Sequence, residues 1–387
     1  MLLPNSSTSN SEPPEPRSRF LVAPGAIAKL GRTAGFFLLF LALFEVLIWA
    51  VFTRTPLANS SIRQYLWYGV SYEAKLRQMV NTPNLPSNSL LYAGWLGDGK
   101  LQSLPRDTDL TVYGMSFSAN LANAIEELRP KLSQRLVGGP GAPLSHTYAI
   151  YQVDKQLRKT RFAVIGVTSG AVQEVVLMNR GTLYSDSPFP YFFPRYKLDH
   201  GQLTLAANSL INSPAELRTA LDTPELWQRQ LAVLAANDAA YHRFFFAKDF
   251  LDNSAIGRLV RRGMSKRYLE AYSHSVLGPD GFRLDQEAPQ LFRTLLRQMA
   301  QELRAENVQP IVVLFSLQGH ADYLHDLVAD ILRDDAIPYV DSNDFCRSND
   351  SGNYLADLHF NHQCDLKFAQ RTLELIDAAD KRRSGGE

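Results

Sequence analysis

Ser116, Asp357 and His359 are the residues whose types could carry a reaction together. A serine hydroxyl is a poor nucleophile until a base takes its proton, a third group orients that base, and donors receive the oxyanion. Ser116 stands in "DLTVYGMSFSANLANAIEELRPKL", two residues past Gly114, where a strand-like apolar run gives way to a helix-like one. Asp357 and His359 stand two apart in "YLADLHFNHQCD". A carboxylate accepting from His359 Nδ1–H would fix the tautomer whose Nε2 can take the Ser116 proton. Each residue also has a plainer use. Ser116 suits the N-cap region of a helix, Asp357 a turn cap, and His359 a structural histidine. His362 is a second-choice base at the start of the next helix.

Residues so far apart need a fold that gathers them. From Asp109 the chain alternates strand and helix. "DLTVYG", "QRLVGG", "RFAVIGV", "VQPIVVLFS" and "IPYVDS" read as strands. Helical stretches are expected over about 118–132, 144–159, 288–307, 320–335 and 362–380. Buried apolar strands alternating with helices predict an α/β, three-layer sandwich around a mainly parallel five-stranded sheet. Ligands of such sheets bind beyond the carboxyl ends of the strands. Ser116 follows the first strand, Gly139–Gly141 the second, Thr168–Gly170 the third and Ser316 the fourth, with Asp357 and His359 after the fifth. The domain is expected over 106–380, with an insertion at 178–285 that carries helices of its own. Two aromatic clusters there, "SPFPYFFPRY" and "AYHRFFF", suit either a sugar platform or internal packing.

The remaining totals mostly exclude. The 387 residues carry a formal net charge of +1 and 20% charged residues, which gives no basic stripe for nucleic acid. No metal-ligand spacing appears, and no cofactor is expected. "AGFFLLFLALFEVLIWAVF", Ala34–Phe52, is apolar except for Glu45. At ~1.5 Å per residue it spans roughly 28 Å, about a hydrocarbon core. Arg17, Arg19, Lys29 and Arg32 precede it and predict an N-terminus on the cytoplasmic side. The expectation is a single-pass inner-membrane protein: a disordered tail over 1–33, a span over 34–53, a connecting region over 54–105 and a periplasmic or otherwise extracytoplasmic domain. That region includes the amphipathic "SYEAKLRQMV" and an extended "NSLLYAGWL", and 381–387 read as a second disordered tail. A cleaved signal peptide is the rival reading of the apolar segment. Glu45 is explained either by its apolar neighbours or by a partner helix offering a donor. Outside the cytosol Cys346 and Cys364 can form a disulfide, worth about 3 kcal/mol for a loop of that length. The alternative is two buried thiols.

Over roughly 105–380, apart from the insertion, the chain resembles the SGNH/GDSL hydrolase superfamily. Gly114-Met115-Ser116-Phe117-Ser118 is similar to the Gly-Asp-Ser block, with Met115 in the Asp position. "GGPGAP" is similar to the glycine block, with Gly141 the match. "ADLHFN" corresponds to the last Asp-His block, and its Asp-x-His spacing resembles membrane-associated polysaccharide O-acetyltransferases such as the alginate-acetylating proteins. "GVTSGAV" departs from the third block, having no Asn after the strand. The resemblance implies Ser116 as nucleophile, His359 as base and Asp357 as its orienting group. The oxyanion would be held by the backbone N–H groups of Ser116 and Gly141, with Ser169 replacing the absent Asn. Thr168, the Gly170 N–H and Asn179 are further substitutes. The implied activity is a serine esterase or O-acetyltransferase on a cell-surface or secreted glycan, with an acylated glycan or ester as substrate and other envelope or polysaccharide-assembly proteins as partners. The two departures define the alternative: a catalytically decayed relative that binds glycan or serves as an envelope-assembly subunit.

Overall fold

The computed structural model describes residues 24–54, 61–80, 95–97, 99–186 and 189–384. It divides into two units, 1–59 and 60–387. The described part of the first is one helix, α1, Pro24–Arg54. Within it Gly25–Val51 is long and apolar enough to cross a membrane, a property that a signal sequence near an N-terminus shares. The helix begins at Pro24, so residues 24–33 are helical and not part of a disordered tail. Proline suits the first position of a helix, and Ala26, Ala28, Lys29 and Leu30 sustain it. The rest of that expected tail, 1–23, and residues 88–94 of "NSLLYAGWL" lie outside the described residues.

The second unit opens with α2 (Ser61–Tyr68) and α3 (Tyr72–Val80). The sheet domain follows as β1 (Asp107–Gly114), α4 (Ser116–Leu128), β2 (Gln134–Gly138), α5 (Leu144–Asp154) and β3 (Lys159–Thr168). The insertion holds β4 (Arg195–Asp199), β5 (Gln202–Ala207), α6 (Pro214–Asp222), α7 (Pro224–Asn237), α8 (Arg243–Phe246), α9 (Ala255–Val276), β6 (Leu277–Gly278) and β7 (Gly281–Phe282). The chain closes with α10 (Glu287–Ala305), β8 (Gln309–Phe315), α11 (Tyr323–Asp334), β9 (Tyr339–Asp341) and α12 (His362–Ser384). The last helix passes Asp380, so 381–384 are helical and not a tail.

The main sheet has the order β2-β1-β3-β8-β9 and every pair in it is parallel. The protein is thus α/β, with a five-stranded parallel sheet covered on both faces. Alternation along the strands sends neighbours to opposite layers. Tyr113 and Ile165 pack with Ile150 of α5, Leu295 of α10 and Val328 of α11. Val112 and Val164 pack with Leu121 and Ile125 of α4 and with Phe368 and Ile376 of α12. Arg129, at the end of α4, grips Asp377 of α12 with two hydrogen bonds of 2.7 and 2.8 Å.

The α4 boundaries differ from the 118–132 expected. The helix starts at Ser116 because Gly114, at φ 144°, turns the chain at the strand end and Met115 leads straight in as N-cap. It stops at Leu128 because Arg129 precedes Pro130 and is driven out of the helical region, at φ −141°. The aromatic clusters of the insertion prove to be packing. Tyr191, Phe192, Phe193 and Phe246 are buried with Trp227 and Leu231, in a core that Tyr72 and Leu76 of α3 and Trp95 share.

Two glycines let the first turn of α4 lie directly on the strand ends, and a third lets β1 and β2 close up beside it. A Cβ at Gly114 or at Gly166 would fall on Ser118 Oγ, and one at Gly138 on the Gly114 carbonyl oxygen. Gly114 and Gly138 are register partners on β1 and β2. Gly166→Ala should therefore push on α4 and on Phe315, whose ring lies 3.1 Å from the new methyl. A loss of about 1–3 kcal/mol is expected in chemical denaturation, the usual cost of overpacking a core.

Candidate active site

Ser116 is the first residue of α4, so its N–H is among the donors that have no acceptor within the helix. Its hydroxyl does not cap the helix. It lies 2.7 Å from His359 Nε2. On the other side of the ring, Nδ1 is 3.1 Å from Asp357 Oδ2. The imidazole is stacked on Phe117, with centroids 4.7 Å apart, so the residue after the serine holds the ring flat.

The two-residue spacing of Asp357 and His359 has a local cause. Asp357 Oδ1 accepts the backbone N–H of His359 at 3.2 Å, an Asx-type turn. That bond leaves Oδ2 facing the ring of the same residue. Leu358 between them adopts φ 68°, a left-handed conformation unusual for a branched side chain. The His359 backbone N–H, ahead of the imidazole's charge, holds the Asp357 carboxyl below its ordinary range. The carboxylate is nonetheless largely in water, its side chain 67% exposed, while His359 is 26% exposed.

The loop carrying this pair is fastened at several points. Leu355 N–H donates to the His359 carbonyl at 2.7 Å, and Tyr354 OH reaches the Ser316 carbonyl at 2.8 Å beyond β8. Asn361 Oδ1 accepts from Cys364 N–H at 3.0 Å and caps α12. Cys346 and Cys364 are joined in a disulfide, 18 residues apart, and the loop they close contains Asp357 and His359. His362, the second-choice base, faces away and pairs with Glu127 at 3.3 Å.

The oxyanion side is less complete. Gly141, at φ 59°, lies in the loop after β2, the strand beside β1. Ser169 follows β3 but is buried, its Oγ accepting Leu317 N–H at 2.9 Å. Thr168 Oγ1 accepts Ala171 N–H at 3.2 Å and lies 3.7 Å from the Met115 sulfur. Met115, in the position where an Asp was expected, is thus buried beneath the turn as an apolar support. Asn179 is not available as a donor. Its Nδ2 donates to the Tyr191 carbonyl at 2.9 Å and its Oδ1 caps Gly181 N–H at 2.7 Å. No group of His, Cys, Asp and Glu among the described residues forms a metal-holding cluster.

No protein-family model matches the chain, and no curated protein matches it. Among solved structures it is similar to a GDSL-like lipase from Bacteroides thetaiotaomicron. The two share 8% identity over 81% of this chain and 99% of that one, with a TM-score of 0.34. A likeness that distant decides nothing about activity, so the chemistry rests on the side chains themselves.

Three measurements test the fastening of the loop. Removing the bridge by Cys346→Ala with Cys364→Ala should cost about 3 kcal/mol of stability, and the bridge itself should appear as a mass shift on reduction and alkylation. Asp365, in the first turn of α12, tests it through pH. Burial pushes its carboxyl up to about 7, against the lowering effect of His362. The folded state therefore holds this proton more tightly than the unfolded chain, whose ordinary value is 3.8. The stabilisation is full below that value and is lost as pH rises through about 7. Asp365→Asn should flatten this part of the pH–stability curve, gaining on the wild type as pH rises.

Proposed function

We propose that the protein is a serine acyl esterase or acyltransferase of SGNH type. The observation that carries the reading is the aligned contact of Ser116 Oγ with His359 Nε2 at 2.7 Å, backed by Asp357 at 3.1 Å from Nδ1. Ser116 Oγ attacks the acyl carbonyl carbon while its proton passes to His359 Nε2. The carbonyl electrons move onto oxygen, which the Ser116 and Gly141 N–H groups receive. As they return, the bond to the leaving alcohol breaks and that alcohol takes the proton from His359. An acceptor hydroxyl then gives its proton to His359 and attacks the acyl-serine, and Ser116 leaves with that proton restored. Asp357 holds the ring and offsets its charge in both halves. Water as acceptor gives hydrolysis, and a sugar hydroxyl gives transfer.

Acetyl is the acyl group we favour and a glycan the carrier. The resemblance of the Asp-x-His spacing to polysaccharide O-acetyltransferases supports this. The basic residues before the apolar Ala34–Phe52 segment support anchoring with the catalytic unit outside the cytosol, and a disulfide is at home there.

Hydrolysis of 4-nitrophenyl acetate by the purified chain is the test. Ser116→Ala should lower kcat by a factor of ~10³ or more. Asp357→Asn should keep the Ser116–His359 contact but disturb the tautomer, with a loss of ~10²–10⁴. Equal rates for wild type and Ser116→Ala would remove the nucleophile and the reading with it.

A further inference from the structure

The third oxyanion donor is the open question of this site: after β3, Ser169, Thr168 and Gly170 are buried, and the two hydroxyls already accept the N–H groups of Leu317 and Ala171. The loop after β3 does send one charged group back over the glycine after β2. A Cβ at Gly141 would fall on Arg180 Nη1, and the Arg180 Cδ would stand only 2.9 Å from it. The glycine thus makes room for a guanidinium. That group is held between two rings, Tyr184 at 4.7 Å and Phe189 at 4.8 Å from Cζ. Its counter-charge, Glu174, is fully buried and lies 3.9 Å from Nη2, too far for a full hydrogen bond. Arg180 Nε is buried with no hydrogen-bond partner among the described residues. The side chain itself remains 19% exposed.

A guanidinium carries five donors in a rigid fork and is costly to bury with so few of them used. A fixed, partly desolvated cation with donors to spare suits a place where negative charge appears only during a reaction. Gly114 and Gly138 are register partners, Ser116 lies two residues beyond one and Gly141 three beyond the other. Arg180 therefore stands over the same edge as the nucleophile.

We infer that Arg180 is the missing oxyanion donor, acting beside the Gly141 N–H in the role that a side-chain amide plays in the SGNH pattern. The inference rests on the serine-esterase reading above. Glu174 is a positioning residue that keeps the guanidinium in place. The charge explains why the site tolerates the lack of an Asn: a charge-assisted donor is roughly twice as strong as a neutral one.

The test uses the full chain and 4-nitrophenyl acetate. Arg180→Ala should lower kcat by ~10²–10³ with KM near that of the wild type, and added guanidinium ion, at concentrations below those that unfold the protein, should restore part of the rate. The same salt should restore nothing to Ser116→Ala. The double variant Arg180→Ala with Glu174→Gln leaves no lone buried charge and stands in if the single variant fails to fold; the same loss and the same rescue are expected. A wild-type kcat, or a loss confined to KM, overturns the inference. A kcat loss without rescue, in a variant that melts with the wild type, overturns it too and assigns Arg180 a structural part. Failure of the esterase reading is separate, since it shows as full activity in Ser116→Ala.

Discussion

The close seating of α4 on the ends of β1 and β3 is the constraint on which the rest depends. Ser118 occupies the space that side chains at Gly114 and Gly166 would take. That seating turns the chain so sharply that Ser116 becomes the first residue of the helix, with its hydroxyl free of capping duty. It also sets Phe117 against His359, Phe315 and Phe360. The position of Ser116 is therefore a property of backbone packing. Met115 joins the same apolar layer, which is why the turn stands without the carboxylate expected there.

The Asp357–His359 side is built by different means. Asp357 reaches His359 through an Asx-type turn, and the strained residue between them is held by a loop with bonds to Ser316, Asn353 and Asn361. Local backbone strain of about 1–3 kcal/mol persists only where the surroundings over-determine it. Here the surroundings are the loop's own hydrogen bonds, the α12 cap and the disulfide. The exposed carboxylate is a modest electrostatic partner, so its main contribution is the direction of the ring.

Much of this was legible in the sequence. Uninterrupted apolar runs such as "FAVIGV" and "IVVLF" identify strands buried on both faces, and the parallel order then brings Ser116, Asp357 and His359 to one edge. The start of α4 was missed because the turning residue is Gly114 itself, whose positive φ leaves no mark beyond a glycine. α2 was missed because its eight residues take their stability from packing on α9, a partner remote in sequence. The aromatic clusters were ambiguous for a similar reason: a row of aromatics reads alike whether it faces solvent or, as here, Trp227. Arg180 carried no signal at all. Its relation to Gly141 exists only through space, across 39 residues of chain that no motif links.

The disulfide divides the site in a way that concerns how it comes apart. Ser116 belongs to the sheet and α4, among the most deeply packed elements, whereas Asp357 and His359 belong to a loop whose closure is covalent. Segments with exposed backbone bonds open at lower free energy than the core that carries them. Loop and core thus have separate thresholds. A chain that has lost its cross-link can let the Asp357–His359 loop swing away while the sheet and α4 beneath Ser116 stay packed.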